Sequence, residues 1–181
     1  ASGLWMGTQK GLIKKDSRWQ YYHGKRWLPD NQVNDILVLD SLTVWVATPQ
    51  GIAQIQQQAM TLEEKAKRIE QTIALRHNRR GLVNHSHLKV AGDISTSYLN
   101  NEDNDGLWTA CYLVAECFHY ASTGDSSAKN RAIRTFEALE RLEKVSGISG
   151  YPARSYALAT DPITQSRSPH PKLWHPSPDG Q

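Results

Sequence analysis

The sequence predicts a β-rich segment followed by an α-helical one, a β + α multidomain fragment, and three observations carry that reading. A Trp-bearing strand pattern occurs twice, 40 residues apart, in the first third of the chain. Strand-like alternation stops near residue 57 and helical periodicity replaces it. Further on, an apolar helix and an amphipathic one are joined by a short Gly-Asp turn.

The repeat comes first. "LWMGTQKGLIKK" from Leu4 and "VWVATPQGIAQI" from Val44 align without gaps, setting Trp5 on Trp45, Thr8 on Thr48 and Gly11 on Gly51. A period near 40, with a short Trp strand and a Gly turn in each copy, is the signature of propeller blades. Between the copies, "RWQYYH" and "NDILVLD" have strand composition, separated by the turn-rich "GKRWLPDNQ". Residues 1–57 are therefore expected to be a partial β-propeller of one to two blades, the end of one blade plus the next. Propellers need at least about four blades, roughly 160 residues. The opening "ASGLWMGTQ" lacks a signal-peptide pattern and reads as the middle of something, so the expectation is a chain truncated at both ends.

Residues 58–181 read as helical. "TLEEKAKRIEQTIALRHNRRG" opens with Thr61 and Glu64 in capping-box spacing, sets Leu62, Ala66, Ile69 and Ile73 on one face, and is expected to stop at Gly81. The second helix, about Leu107 to Ser122, is apolar almost all round and should be surrounded by protein. After "TGD", Asp125 or Ser126 caps a third helix reaching about Val145. Its expected buried stripe is Ala132, Ile133, Phe136, Leu139 and Leu142. An inside helix hairpinned to an outside one is the unit of α/α toroids, and helical solenoids use it too. The proline-rich stretch 160–181 lacks periodicity and reads as an irregular loop.

Composition excludes more than it selects. With 39% apolar and 22% charged residues, a net charge of +3 and no run of about 18 apolar residues, the chain reads as globular, without a membrane span in this segment. Its Lys and Arg do not cluster as a nucleic-acid surface requires, so no nucleic-acid partner is expected. Cys111 and Cys117 point about 120° apart on one helix, cannot bridge while it is intact, and are expected to be buried inert thiols.

Two resemblances extend this reading. The "LWMGTQKGL" and "LPDNQVNDI" patterns resemble regulator-type (two-component-regulator-like) propeller repeats of bacterial periplasmic sensors. "DNDGLW", "GYPARS" and "SPDG" resemble motifs of a helical module that follows such propellers, associated with the (α/α) toroids of carbohydrate-active enzymes. The resemblance implies a periplasmic or extracellular glycan-active protein, a polysaccharide lyase or glycoside hydrolase with an accessory propeller. The alternative it leaves open is a carbohydrate-sensing or binding protein without catalysis. The implied partner is an oligo- or polysaccharide, with uronate units if the reaction is an elimination.

Candidate site residues follow from chemistry and position. Asp103 and Asp105 stand where helix two begins, so either one caps the helix and the other is solvated, or a carboxylate there serves as general acid or base. His85 and His87 in "NHSH" share a face only if that segment is extended, and no third metal ligand stands close in sequence; they are either an ordinary surface pair or candidates for proton transfer at a cleft, with no metal expected. For substrate binding, Trp108 and Tyr112 offer aromatic faces against a competing core role. Arg154 and Tyr156 in "GYPARSY" offer a carboxylate clamp and an aromatic against a structural role. No cofactor is expected; a structural calcium ion at the Asn101–Asp105 loop is the weakest reading, because Asn101 replaces the usual first Asp and Tyr112, at the twelfth position, cannot supply a bidentate carboxylate.

Overall fold

A computed structural model describes residues 3–90, 92–158, 160–161 and 174–180. The chain divides into two compact units, Ala1–Thr61 and Leu62–Gln181. It is a mixed β and α protein of small antiparallel sheets and three helices, and the described residues form no closed barrel.

The first unit holds two three-stranded antiparallel sheets in consecutive order: β1 (Leu4–Thr8), β2 (Gly11–Lys15) and β3 (Trp19–Tyr22), then β4 (Asp35–Val38), β5 (Thr43–Thr48) and β6 (Gly51–Gln56). The sequence repeat is a structural one. In each sheet the repeated Thr closes its hairpin by donating its hydroxyl to the repeated glycine's carbonyl, Thr8 to Gly11 and Thr48 to Gly51, both at 2.7 Å. Gly11 and Gly51 sit at φ of 143° and 138°, which L side chains rarely adopt. Inward residues of both sheets, Leu12, Tyr22, Val44, Val46 and Ile55, join Leu28 in one core, with Trp5 packed against it.

The second unit begins with α1 (Leu62–Arg76), which ends five residues before the expected stop. Gly81 is the turn of a tiny hairpin, β7 (Asn78–Arg79) with β8 (Leu82–Val83), where Arg80 and Gly81 have φ of 53° and 90°. Asn78 Oδ1 accepts the Gly81 N–H there, a local turn bond that competes with continued helix. A second hairpin follows, β9 (His85–Leu88) with β10 (Ser97–Asn100), in the stretch where the sequence shows no clear period. Then come α2 (Asp105–Thr123) and α3 (Ser126–Lys144), joined through Gly124 in the left-handed conformation, with Asp125 capping α3 through the Ser127 N–H at 2.8 Å. Most of the irregular loop expected at 160–181 lies outside the described residues.

Three expectations about the helices are corrected. No residue of α1 is buried. The buried residues of α2 are Asp105, Thr109, Tyr112 and Glu116, while Leu107, Val114 and Phe118 are exposed, Phe118 by 72%. Cys111 and Cys117, expected to be buried, are exposed because both lie off that stripe. On α3 the inward face is Ala128, Thr135, Ala138 and Leu142; Ile133 and Phe136 face outward. Small side chains let the helix backbones approach, and Thr109, Tyr112 and Glu116 find partners within the protein, at the Asp105 carbonyl, Glu70 and Arg131.

Candidate functional site

The inward residues of α2 are spaced four, three and four apart, which is one face of a helix. That face meets β8 and α3, and through Tyr112 it reaches Glu70 of α1. Thr109 shows how the polar stripe is accommodated: its hydroxyl donates to the Asp105 carbonyl at 2.6 Å and accepts the Val83 N–H at 2.8 Å. Val83 is thereby tied to the second turn of α2.

Beside this face lies an open cleft of about 420 Å³, walled by Ile73 and His77, by residues 83–86, and by Trp108, Cys111, Tyr112 and Ala115. Three sequence candidates, His85, Trp108 and Tyr112, meet here. Trp108 is 47% exposed, an apolar ring face available to a ligand. The Tyr112 hydroxyl donates to Glu70 Oε1 at 2.7 Å; burial and then the Glu70 carboxylate push its ionisation up, so it is a phenol at neutral pH. His77 Nδ1 lies 3.1 Å from the Asn84 carbonyl. A carbonyl only accepts, so Nδ1 carries the proton and Nε2 of the neutral ring is left as an acceptor. Among the described residues no Asp, Glu, Lys or Arg lines this wall.

Asp105 stands behind the cleft and is completely enclosed. Its Oδ2 accepts from Asn84 Nδ2 at 2.6 Å, from the Glu102 N–H at 3.1 Å and from the Ser155 hydroxyl at 2.5 Å. Burial pushes its carboxyl up to about 6, against the opposing pull of Ser155, the Glu102 N–H, Asn84 and Arg79. One oxygen thus holds the cleft wall, the turn before α2 and the loop after α3 in register. The Asp103 carbonyl accepts from Arg154 Nη1 at 3.2 Å, so Arg154 fastens the same loop to the same turn. Tyr156 packs against the Leu82, Ala138 and Leu142 cluster, and its carbonyl accepts from the buried Arg79. Neither Arg154 nor Tyr156 reaches the cleft wall. A calcium loop does not fit this turn: α2 already begins at Asp105, the fifth position, so the residues that would complete the shell are helical.

A second polar group, with Glu116 buried and Glu70 and Arg131 partly so, ties the three helices together. Arg131 Nε of α3 lies 2.9 Å from Glu116 Oε2 of α2 and 3.3 Å from Glu70 Oε1 of α1. Burial, and then the neighbouring Glu70 carboxylate, raise Glu116 to about 7, while Arg131 works in the opposite direction. His119 Nδ1 is 3.8 Å from Glu116. His87, the remaining sequence candidate, lies on β9 with its ring stacked between those of His85 and Tyr98, at centroid distances of 4.5 and 5.6 Å.

No family model, curated protein or solved structure matches the chain. Its chemistry is therefore read from these side chains.

Sequence reasoning missed His77, Glu70, Glu116 and Arg131. His77 stands at the C-terminus of α1, where its N–H closes the last turn on the Ile73 carbonyl at 2.9 Å, and a cationic run at a helix end gives no sign in sequence that one ring turns to a cleft. A signal for Glu116 was present: it is the one carboxylate in the apolar run "LWTACYLVAECFHYA", and it falls in line with Asp105, Thr109 and Tyr112. Among the described residues no helix is long and apolar enough to cross a membrane.

Proposed function

We propose that the chain belongs to a glycan-active enzyme of polysaccharide-lyase type, with the cleft beside α2 as its substrate site. The observation that carries this reading is the meeting of Trp108, His77 and Tyr112 in one cleft. Trp108 offers a face for a sugar ring. His77 Nε2 is an acceptor that can take the proton from the carbon next to a uronate carboxylate. The electron pair so released forms a carbon–carbon double bond as the glycosidic C–O bond breaks, and the Tyr112 hydroxyl turns its one proton from Glu70 to the leaving oxygen. Glu70 accepts that proton in the resting protein.

Hydrolysis fits less well, because two carboxylates flanking a scissile bond are its usual requirement and the described cleft wall offers none. A binding protein without catalysis is the second reading. It is favoured by the lack, among the described residues, of an Arg or Lys on the wall to neutralise a uronate. The two β sheets with their repeated Thr–Gly turn support a regulator-type propeller for the first unit. The outward apolar residues of α2 and α3 support an α/α-toroid hairpin for the second, since such faces are covered in that architecture. A periplasmic or extracellular location is part of the same proposal.

The test is incubation with uronate-containing polysaccharides, following the ultraviolet absorbance of the unsaturated product. Trp108→Ala is expected to raise KM with kcat nearly unchanged, and Tyr112→Phe to lower kcat on the order of 100-fold. Saturable oligosaccharide binding with no product would establish the second reading instead.

A further inference from the structure

We propose that His85, His87 and Glu102 form a binding site for one divalent transition-metal ion of the zinc class. β9 is extended, so His85 and His87 project from the same face, and their rings stack at a centroid distance of 4.5 Å. The sequence around them offers no third ligand, but antiparallel pairing sets His85 opposite Asn100 and His87 opposite Tyr98, and the chain leaving β10 brings Glu102 alongside. One ligand atom from each of the three lies within 4.8 Å of the others, and His85 Nδ1 stands 3.6 Å from Glu102 Oε2.

That 3.6 Å is too long for a hydrogen bond. It is close to the separation of about 3.3 Å expected between two ligands that each hold a tetrahedral ion at about 2.0 Å. Two imidazoles and one carboxylate favour zinc, cobalt or nickel over calcium or magnesium, which prefer all-oxygen shells. Three protein ligands on a surface hairpin leave a fourth position open, as in zinc sites that bind water or substrate. The ligands are also held from behind. The Glu102 N–H donates to the enclosed Asp105, and the Tyr98 ring backs His87. Asp105 is thus a positioning residue for the ion, and its place behind Glu102 gives that buried carboxylate a role beyond the helix start.

His85 also lines the cleft, so the ion would stand at its edge and supply positive charge that the described wall otherwise lacks. The metal site does not depend on the glycan reading, because its readouts are heat and colour rather than turnover.

The experiment uses the 181-residue chain, stripped with a chelator and titrated with zinc chloride by calorimetry, then with cobalt(II) by visible absorption. One equivalent of zinc with a tetrahedral cobalt spectrum is expected. His87→Ala and Glu102→Gln should each weaken binding by at least about tenfold, with circular dichroism unchanged. If His87→Ala fails to fold, Glu102→Gln carries the comparison. No binding at one equivalent would overturn the site. So would binding that keeps its affinity in the variants, which would place the ion on other exposed histidines.

Discussion

Asp105 carries three hydrogen bonds on Oδ2 and no protein donor on Oδ1, with its side chain shut away from water. Burial wins over those donors, since the carboxyl is raised to about 6. In the unfolded chain the group ionises near its ordinary value, about 4; in the folded protein it keeps its proton up to about 6. Between these values the folded state binds more protons, so Asp105 lowers stability as pH rises, by about 3 kcal/mol across the window. Asp105→Asn should flatten that slope in urea melts taken from about pH 4 to 7. Asp105→Ala should instead cost about 3 kcal/mol or more at acid pH, because it leaves the Asn84, Ser155 and Glu102 donors unpaired. At this scale the sequence singled out His85, Trp108 and Tyr112, which line the cleft, and Asp105, which stands behind it, since a carboxylate before an apolar helix and aromatics one turn apart are visible in one dimension. It missed His77 and Glu70, whose roles arise only when the hairpin after α1 folds them towards α2.

In α2, hydrophobic periodicity located the helix and misjudged its orientation. The expected span, about Leu107 to Ser122, differs little from the observed Asp105–Thr123, because apolar content and the Gly-Asp stop are local signals. Which side faces inward is not local. Glu116, Glu70 and Arg131 satisfy one another only when three helices converge, and that ion group draws the polar stripe in. The sheets of the first unit were easier to read, since the same Thr–Gly turn is written twice, whereas two-residue strands such as β7 and β8 leave no period to detect. Arg131→Met tests the ion group. Leaving the buried Glu116 and the partly exposed Glu70 without their cation should cost about 2 kcal/mol near neutral pH, measured by thermal or urea unfolding. The loss should shrink near pH 5. Without Arg131, Glu116 rises further above its ordinary range, the folded state holds its proton more tightly, and the penalty grows only as pH climbs.

At the scale of the whole chain, the two units rest on different physics. The Ala1–Thr61 unit has a continuous apolar core, built by strand alternation from Leu12 to Ile55. The Leu62–Gln181 unit has a small apolar cluster, Leu82, Ala138 and Leu142, and depends for the rest on Asp105, the Glu70–Glu116–Arg131 group and the Arg79–Asp161 pair. Phe118 and Phe136, exposed by 72% and 59%, add little to its interior. The pH responses should therefore differ in sign. In the first unit, Asp16 and Asp40 are held below the ordinary carboxylate range, chiefly by the N–H groups of Arg18 and Leu42. Their contribution is complete above about pH 4 and is lost on acidification below it. In the second unit, Asp105 and Glu116 are raised to about 6 and about 7, so their contribution falls as pH rises from about 4 to 7. Segment-resolved hydrogen exchange, corrected for the intrinsic pH dependence of exchange, is the measurement. Moving from about pH 7 to about pH 5 should raise protection in α2 and α3 while β2 and β5 stay nearly level. Equal changes in both units, or weaker protection in α2, would mean that the buried carboxylates are ionised at acid pH and that burial does not dominate their chemistry.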